Sequence, residues 1–321
     1  MWLDLGQNDL LESGRRKKQV DMVAKQQLTW LGDTLSVLAP AKINLTLLVA
    51  PKRPDGFHEI ETVMAKINFF DELSIEPGQK PGIAFLSTGP YWAPQGNQNL
   101  VYRAAQLLLE TCNVTANIKI TLQKNIPAGS GLGSASSDAA ATLVALNEFL
   151  KLSLDKPSLA DLAARLGSDV PFFIAGPLAF CTGTGEKISN FREVYDFTAI
   201  LFLPNINVST KRVYENYRHD PKLYQSLKMQ INSHIRKNRF DLLAPICANM
   251  LQSSCFALIK ELTGLKAKIE SLGFGPVCLS GSGSAMFYIV QDGDKQAVKV
   301  DVFELERMVC CKSLIVSNNR W

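Results

Sequence analysis

Histidine is scarce in this chain: His58, His219 and His234 are the only three in 321 residues. They form no His-x-x-x-His or His-Glu-x-x-His arrangement, so the sequence predicts no dedicated metal site. The seven cysteines include no Cys-x-x-Cys pair, and the adjacent Cys310 and Cys311 have no second cluster to join. Buried, reduced thiols are the expectation. Long apolar runs are missing too. Thr198 to Pro204 and Phe172 to Cys181 fall far short of the roughly 20 residues that span a bilayer, which predicts no membrane association and a cytoplasmic protein. Nor does one sign of charge dominate, since 34 Lys and Arg face 30 Asp and Glu for a net +4. That balance is too small to argue for nucleic acid, but it suits a small, phosphate-rich substrate.

What is present describes an ordinary globular protein, 46% hydrophobic and 20% charged, and long enough for two domains with their own cores. The stretch up to Asp33 reads differently. Gly14-Arg15-Arg16-Lys17-Lys18 is a basic cluster without interleaved aromatics or a following apolar stretch, which disfavours both RNA binding and a signal peptide. Gly6, Asn8 and Gly32 break any periodicity there. Residues 1–33 are therefore read as an extension or a start-site artefact, with Met22 as an alternative start.

The most informative segment is Pro127-Ala128-Gly129-Ser130-Gly131-Leu132-Gly133-Ser134-Ala135-Ser136-Ser137-Asp138. Upstream, Ile118, Ile120 and Leu122 alternate with polar residues as in a half-buried strand. Downstream, Ala139, Leu143, Leu146 and Leu150 recur at helical spacing. Small residues let several backbone N–H groups converge on one anion, and a helix starting at the loop's end adds its positive dipole end, so the segment suits a phosphate chain. It is not a Walker loop, because Gly133 is followed by Ser134 and Ala135, and not a dinucleotide fingerprint, because Ser134 stands where a glycine is required. Ser136, Ser137 and Asp138 fall where the first helical turn is expected, as caps or as hydroxyls toward a metal-bound phosphate.

Two further clusters carry polar groups in suggestive places. From Ile43 onward the period of two puts Lys42 and Asn44 on one strand face, where a solvated edge charge and a catalytic cation are both possible readings. Pro54-Asp55-Gly56 is a tight-turn signal that brings Phe57 and His58 back beside that strand, either to stack on and read a base or as a plain hairpin tip. Later, Ser158 with Asp161 resembles a capping box, and its helix stops at Gly167. Asp169 then precedes Val170-Pro171 as an N-cap or as a carboxylate facing a phosphate pocket. Thr182-Gly183-Thr184-Gly185 reads as a turn closing the first domain. Ser280 to Ala285 is a second glycine-serine loop before a strand from Met286 to Val290, either a tight turn or a site of close backbone approach.

Pro40-Ala41-Lys42-Ile43-Asn44, the loop Pro127 to Ser137, and Ser280 to Ala285 occur in the order seen in the GHMP small-molecule kinases, the family of galactokinase, homoserine kinase and mevalonate kinase. The chain resembles that family over about residues 35–321, most strongly up to residue 185. Arg53-Pro54-Asp55-Gly56-Phe57-His58 and Gly167-Ser168-Asp169-Val170-Pro171 resemble the branch that phosphorylates a cytidine-diphosphate-linked polyol in non-mevalonate isoprenoid synthesis. The resemblance implies a two-domain α+β fold with an extension at 1–33, an ATP-binding domain at 34–185, a second domain at 186–321 and the active cleft between them. It implies Asp169 as general base, Lys42 as the cation on the reacting hydroxyl and phosphoryl group, and Asn44 as a substrate-positioning residue. Residues 127–137 would wrap the phosphates of ATP with magnesium bridging their oxygens. His58 would read the cytosine edge, with Phe57 and Tyr214 stacking on the ring. Two departures stand out: Phe57 replaces the family's usual tyrosine, and Asn238 to Leu243 matches the family's Asn-Asp-Leu/Phe-Glu segment only loosely. A sibling kinase for another small alcohol, such as homoserine or mevalonate, and a non-catalytic ATP sensor are the competing readings.

Overall fold

The computed structural model describes residues 28–191, 195–237, 239–246, 248–290 and 301–319. The basic cluster at 15–18 and Met22 lie outside them. The first sheet contains β1 (Leu28–Leu31), β2 (Thr34–Lys52), β3 (His58–Pro77), β4 (Gly82–Thr88), β5 (Asn117–Gln123), β6 (Leu178–Thr182) and β7 (Lys187–Asn190). Its order is β1-β2-β3-β5-β4, with β6 pairing β3 and β7 pairing β6. Only the β4–β5 pair is parallel among these. Helices α1 (Leu100–Cys112), α2 (Ser134–Phe149), α3 (Lys156–Ala164) and α4 (Val170–Ile174) belong to this half of the chain.

The second sheet runs β11 (Lys312–Ser317), β8 (Thr198–Leu203), β10 (Met286–Ile289) and β9 (Cys278–Leu279) in that spatial order. With it go α5 (Thr210–Glu215), α6 (Pro221–Arg236), α7 (Leu243–Ile246), α8 (Gln252–Leu258), α9 (Lys260–Ser271) and α10 (Val302–Val309). No helix among the described residues is long and apolar enough to cross a membrane.

The long strands β2 and β3 tie the halves together. Their Leu35, Val37, Leu73 and Ile75 share an apolar core with Leu108, Leu143 and Phe172 of the helices. Farther along, Ile43, Leu45, Leu47, Ile60 and Val63 share another with Leu201, Phe202, Leu251 and Phe287 of the second half. Pro40 is accommodated at a register shift between Pro40 and Ala41, where the missing N–H does not break a regular ladder. The residues from Ala39 to Val49 are all buried, so Lys42 and Asn44 are not solvated edge groups.

Four expectations need correction. Residues Leu28–Leu31 are not part of an extension, because Gly32 at φ 58° turns them back to pair with β2, and Trp30 stacks on Phe149 at 5.7 Å. The turn Thr182 to Gly185 does not close the first sheet but joins β6 to β7, which carries that sheet on to Asn190. The helix α3 starts three residues before the expected capping box: Asp155 accepts from Ser158 N at 2.9 Å, and Pro157 fits the first turn, where no intrahelical N–H is needed. Finally, Cys278 is disulfide-bonded, whereas Cys112, Cys181, Cys255, Cys310 and Cys311 are free. Sequence spacing carries no information about a pairing created by the fold.

A buried ionic cluster fixes the start of α2. Lys124, just after β5, donates to Asp138 Oδ2 at 2.8 Å and also contacts Asp71 and the Ser134 hydroxyl. Asp71 Oδ1 accepts from Asn125 N at 2.6 Å and Ile126 N at 2.8 Å, and Ser134 Oγ donates to Asp71 Oδ2 at 2.9 Å. Burial pushes the Asp138 carboxyl up to about 8, with Lys124 pulling it down and Asp71 pushing it up. One ammonium thereby staples β3, the loop entrance and the helix start. Lys124→Met, which leaves the buried Asp71 and Asp138 side chains without their cation, is expected to lower the unfolding free energy by about 3–5 kcal/mol. Urea denaturation of the two proteins measures it.

Candidate active site

A cleft of about 750 Å³ opens where the two halves meet. One wall is the loop from Pro127 to Ser136, and the rest comes from Lys42, Asn44, Phe57, His58, Ser168, Asp169 and Thr184 of the first half. Thr210, Lys211, Tyr214, Glu215, Gly281 and Ser282 of the second half complete it. Of the residues to which the resemblance gives a site role, each lines this space except Ser137. That side chain is 1% exposed and outside the cleft lining, and its buried hydroxyl has no hydrogen-bond partner among the described residues.

Loop geometry follows from its glycines. Gly129, Gly131 and Gly133 have φ of 66°, 79° and 71°, in the left-handed region that side chains disfavour. A Cβ on Gly131 would collide with the Ser280 carbonyl, and one on Gly133 would lie 3.0 Å from the Lys42 side chain. The second glycine-serine loop is therefore a clasp rather than a plain turn: Ser280 Oγ donates to the Gly131 carbonyl at 3.0 Å, and Ala285 N to the Ser130 carbonyl at 3.0 Å. Helix α2 begins at Ser134, earlier than the expected Ser136 to Asp138, because Gly133 rather than a serine is its N-cap. No side chain caps it, and the first helical bond of this end is Ser137 N to the Gly133 carbonyl at 2.9 Å. The N–H groups of the preceding residues have no intrahelical acceptor, and Ser134, Ala135 and Ser136 line the cleft at the positive end of the helix dipole.

Lys42 is 3% exposed. Its Nζ donates to Asn44 Oδ1 at 2.5 Å and to the Gly131 carbonyl at 2.8 Å, which commits two of its three hydrogens and leaves one for a ligand. Asn44 is itself fixed by donating Nδ2–H to Thr62 Oγ1 at 2.8 Å. Burial lowers the Lys42 pKa, and the nearby Asp169 carboxylate partly restores it. Asp169 occupies the N-cap position of α4 but makes no cap hydrogen bond, so its carboxylate is not spent on the helix. It also makes no ion pair with Lys42, although both line the cleft and interact through space.

The far end of the cleft is aromatic. The turn at Pro54 to Gly56 projects Phe57, which is 61% exposed. His58 lies beside Tyr214 at 5.6 Å between ring centroids and edge-on to Tyr217 at 5.5 Å. Its Nδ1 is 2.8 Å from the Ala50 carbonyl. A carbonyl only accepts, so Nδ1 carries the hydrogen, and Nε2 of the neutral ring is left as an acceptor. Burial, with Asp169 adding to it, raises the Tyr214 pKa and keeps the phenol neutral.

Sequence matches bear on this arrangement. The model for the GHMP kinases N terminal domain matches residues 99–177, and that for the GHMP kinases C terminal matches residues 231–304. A Geobacillus sp. (strain WCH70) protein named 4-diphosphocytidyl-2-C-methyl-D-erythritol kinase is 37% identical over 257 residues, covering 80% of this chain and 88% of that one. The chain belongs to the GHMP kinase family. A Bacillus cereus (strain AH187) protein of the same name is 38% identical over 256 residues, with the same coverage of each chain. Among solved structures, a 4-(cytidine 5'-diphospho)-2C-methyl-D-erythritol kinase superposes with a TM-score of 0.70 at 32% identity, over 89% of this chain and all of that one. A homoserine kinase from Cytophaga hutchinsonii reaches the same TM-score of 0.70 at 18% identity over 91% and 97% of the chains, a likeness of fold alone.

In this GHMP kinase the sequence does not mark Ser168, Thr184, Thr210 and Lys211 as cleft residues, nor Lys124 and Asp71 as the support behind the loop. Ser168 and Thr184 were visible as neighbours of Asp169 and Gly183, and their hydroxyls meet at 2.9 Å. For Gly131→Ala, the collision with Ser280 is expected to weaken binding of a nucleoside triphosphate about a hundredfold. Titration calorimetry with ATP reads that loss directly.

Proposed function

We propose that this kinase transfers the γ-phosphoryl group of ATP to the 2-hydroxyl of 4-diphosphocytidyl-2-C-methyl-D-erythritol, in the cytoplasm, as a step of non-mevalonate isoprenoid precursor synthesis. The observation that carries the reading is the convergence, in one cleft, of an uncapped phosphate-loop helix, an unspent carboxylate, a buried ammonium, and an imidazole with a fixed acceptor nitrogen. Relatives named for that activity at 37% and 38% identity point the same way.

The chemistry follows from these groups. The Asp169 carboxylate takes the proton of the tertiary hydroxyl as its oxygen attacks the γ-phosphorus. A new oxygen–phosphorus bond forms, the bond to the β-phosphate bridging oxygen breaks, and ADP leaves. Charge spread over the phosphoryl oxygens is met by the free N–H of Lys42 and by the backbone N–H groups of the loop, which need no reorganisation. Loop residues 127–136 hold the triphosphate, and Asn44 keeps Lys42 aimed. A magnesium ion bound with ATP would supply charge neutralisation at the phosphates. Among the described residues no group of three or more His, Cys, Asp and Glu gathers, so the cleft suits an ion held mainly by phosphate oxygens, with the Asp169 carboxylate and Ser136 hydroxyl as available donors.

At the aromatic end, cytosine presents an amino group as donor. His58 Nε2 is the matching acceptor, while Phe57 and Tyr214 supply stacking surface. Lys52 and Lys211 at the rim carry charge toward the diphosphate.

A coupled assay of ADP release with and without the cytidylyl polyol tests the reading, and ADP release independent of that substrate would end it. Asp169→Asn is expected to lower kcat by about 10²–10⁴ while ATP still binds. Because burial depresses the Lys42 pKa, the proton it needs is lost at lower pH than on a free lysine. The alkaline limb of kcat/KM for ATP, which reports the free enzyme, should therefore lie below 10.5. Lys42→Arg, charged throughout, should remove that limb. Replacing Phe57 and His58 together by alanine should raise KM for the cytidylyl substrate and leave KM for ATP unchanged.

A further inference from the structure

The hairpin tip that presents His58 is irregular in a way that calls for external support. The β2–β3 ladder pairs Val49 with Ile60 and then Lys52 with His58, skipping Ala50 and Pro51. The Ala50 carbonyl that holds His58 Nδ1–H therefore sits in a bulge, where strand pairing does not fix its direction. The peptide unit before it is clamped from the second half of the molecule. Tyr217, 6% exposed, donates its hydroxyl hydrogen to the Val49 carbonyl at 2.6 Å. His219 Nδ1 reaches the same carbonyl at 3.1 Å and the Tyr217 hydroxyl oxygen at 3.2 Å. The Tyr217 ring meanwhile stands edge-on to His58 at 5.5 Å. One residue thus bounds the imidazole on its flank and, through Val49, steadies the carbonyl that sets its tautomer.

We infer that Tyr217, backed by His219, is a positioning residue for base selection: it holds His58 in the tautomer whose Nε2 accepts, so that the site takes an amino-bearing pyrimidine and rejects its keto counterpart. The inference rests on the proposed reading of His58 as the group that meets the base. Its physical basis is a choice between two hydrogen placements. With Nδ1–H pinned, Nε2 offers a lone pair, which matches the cytosine amino group and repels the uracil O4 acceptor. If the Ala50 carbonyl is free to swing away, the hydrogen can move to Nε2, and the ring then donates to uracil as readily as it accepted from cytosine. Loosening the clamp should narrow the discrimination rather than simply weaken binding. The spacing Tyr214-x-x-Tyr217 places both rings on the side of α5 and its exit turn that meets His58.

The test compares the polyol diphosphate carrying cytidine with the same compound carrying uridine, at saturating ATP, in the wild type, Tyr217→Phe and His219→Gln. Tyr217→Phe keeps the ring against His58 and removes only the hydroxyl. The expected result is a wild type that strongly prefers the cytidylyl compound and a Tyr217→Phe protein whose ratio of kcat/KM values falls about tenfold. KM for ATP should not move. His219→Gln should lower the ratio in the same direction by less, and serves as the test if Tyr217→Phe does not fold. Equal losses on both substrates, with the ratio intact, would show a merely structural role and overturn the inference while leaving the proposed function in place. A wild type that uses both compounds equally overturns it too, because His58 would then select nothing. A wild type inert on the cytidylyl compound removes the proposed function itself.

Discussion

The structure depends on one ammonium kept almost dry. Lys42 would be unfavourable at 3% exposure unless its hydrogens were used, and the chain supplies Asn44 Oδ1 from the same strand and the Gly131 carbonyl from the phosphate loop. These bonds do two things at once. They make the cation tolerable, and they fix the loop's backbone relative to β2, so that in the proposed function the position of the phosphates and of the charge meeting them would be set by the same contacts. Asp169 completes the balance from a distance. Because it does not pair directly with Lys42, neither charge is consumed by the other, and in the proposed reaction both are left to act on the hydroxyl.

Keeping that arrangement rigid takes support on each side. Behind the loop, Lys124 with Asp71, Asp138 and Ser134 anchors the start of α2, and above it the loop from Ser280 to Ala285 clasps the Ser130 and Gly131 carbonyls. Both supports are polar and buried, where hydrogen bonds are strong and geometry is well defined. Apolar packing of β2 and β3 into two cores explains why the cleft lies at the junction: the strands are long enough to serve both halves, and Lys42 sits where one core gives way to the other.

How much of this could be read from the residues depended on whether the cause was local. The phosphate loop, the turn before Phe57 and the placement of Lys42 and Asn44 on one face follow from short patterns whose physics is carried by neighbours in sequence. Lys124 was invisible because its partners come from β3 and from the second turn of α2, and a lysine after an alternating strand looks like a solvated end. Tyr217 and His219 were invisible for the same reason, since their acceptor is a backbone carbonyl far back in the chain at Val49. Gly32 was misread in the opposite sense: it interrupts a period, but as the corner of a hairpin rather than the end of order. The start of α2 differs from the expected one because serines are good caps, whereas here the cap is a glycine and no side chain takes the N–H groups.

That last substitution links fold to chemistry. A serine or aspartate cap at the head of α2 would stabilise the helix by roughly 1 kcal/mol, yet its oxygen would occupy N–H groups that a phosphate needs. Leaving the end uncapped is tolerable because α2 is buried over most of its surface and Lys124 anchors its first turns, so tertiary packing supplies the stability that the cap would have given. The same trade explains Asp169, which stands at an N-cap position without capping. In both places the chain forgoes a local hydrogen bond that the rest of the fold makes unnecessary, and the group left free is one to which the proposed function gives a role.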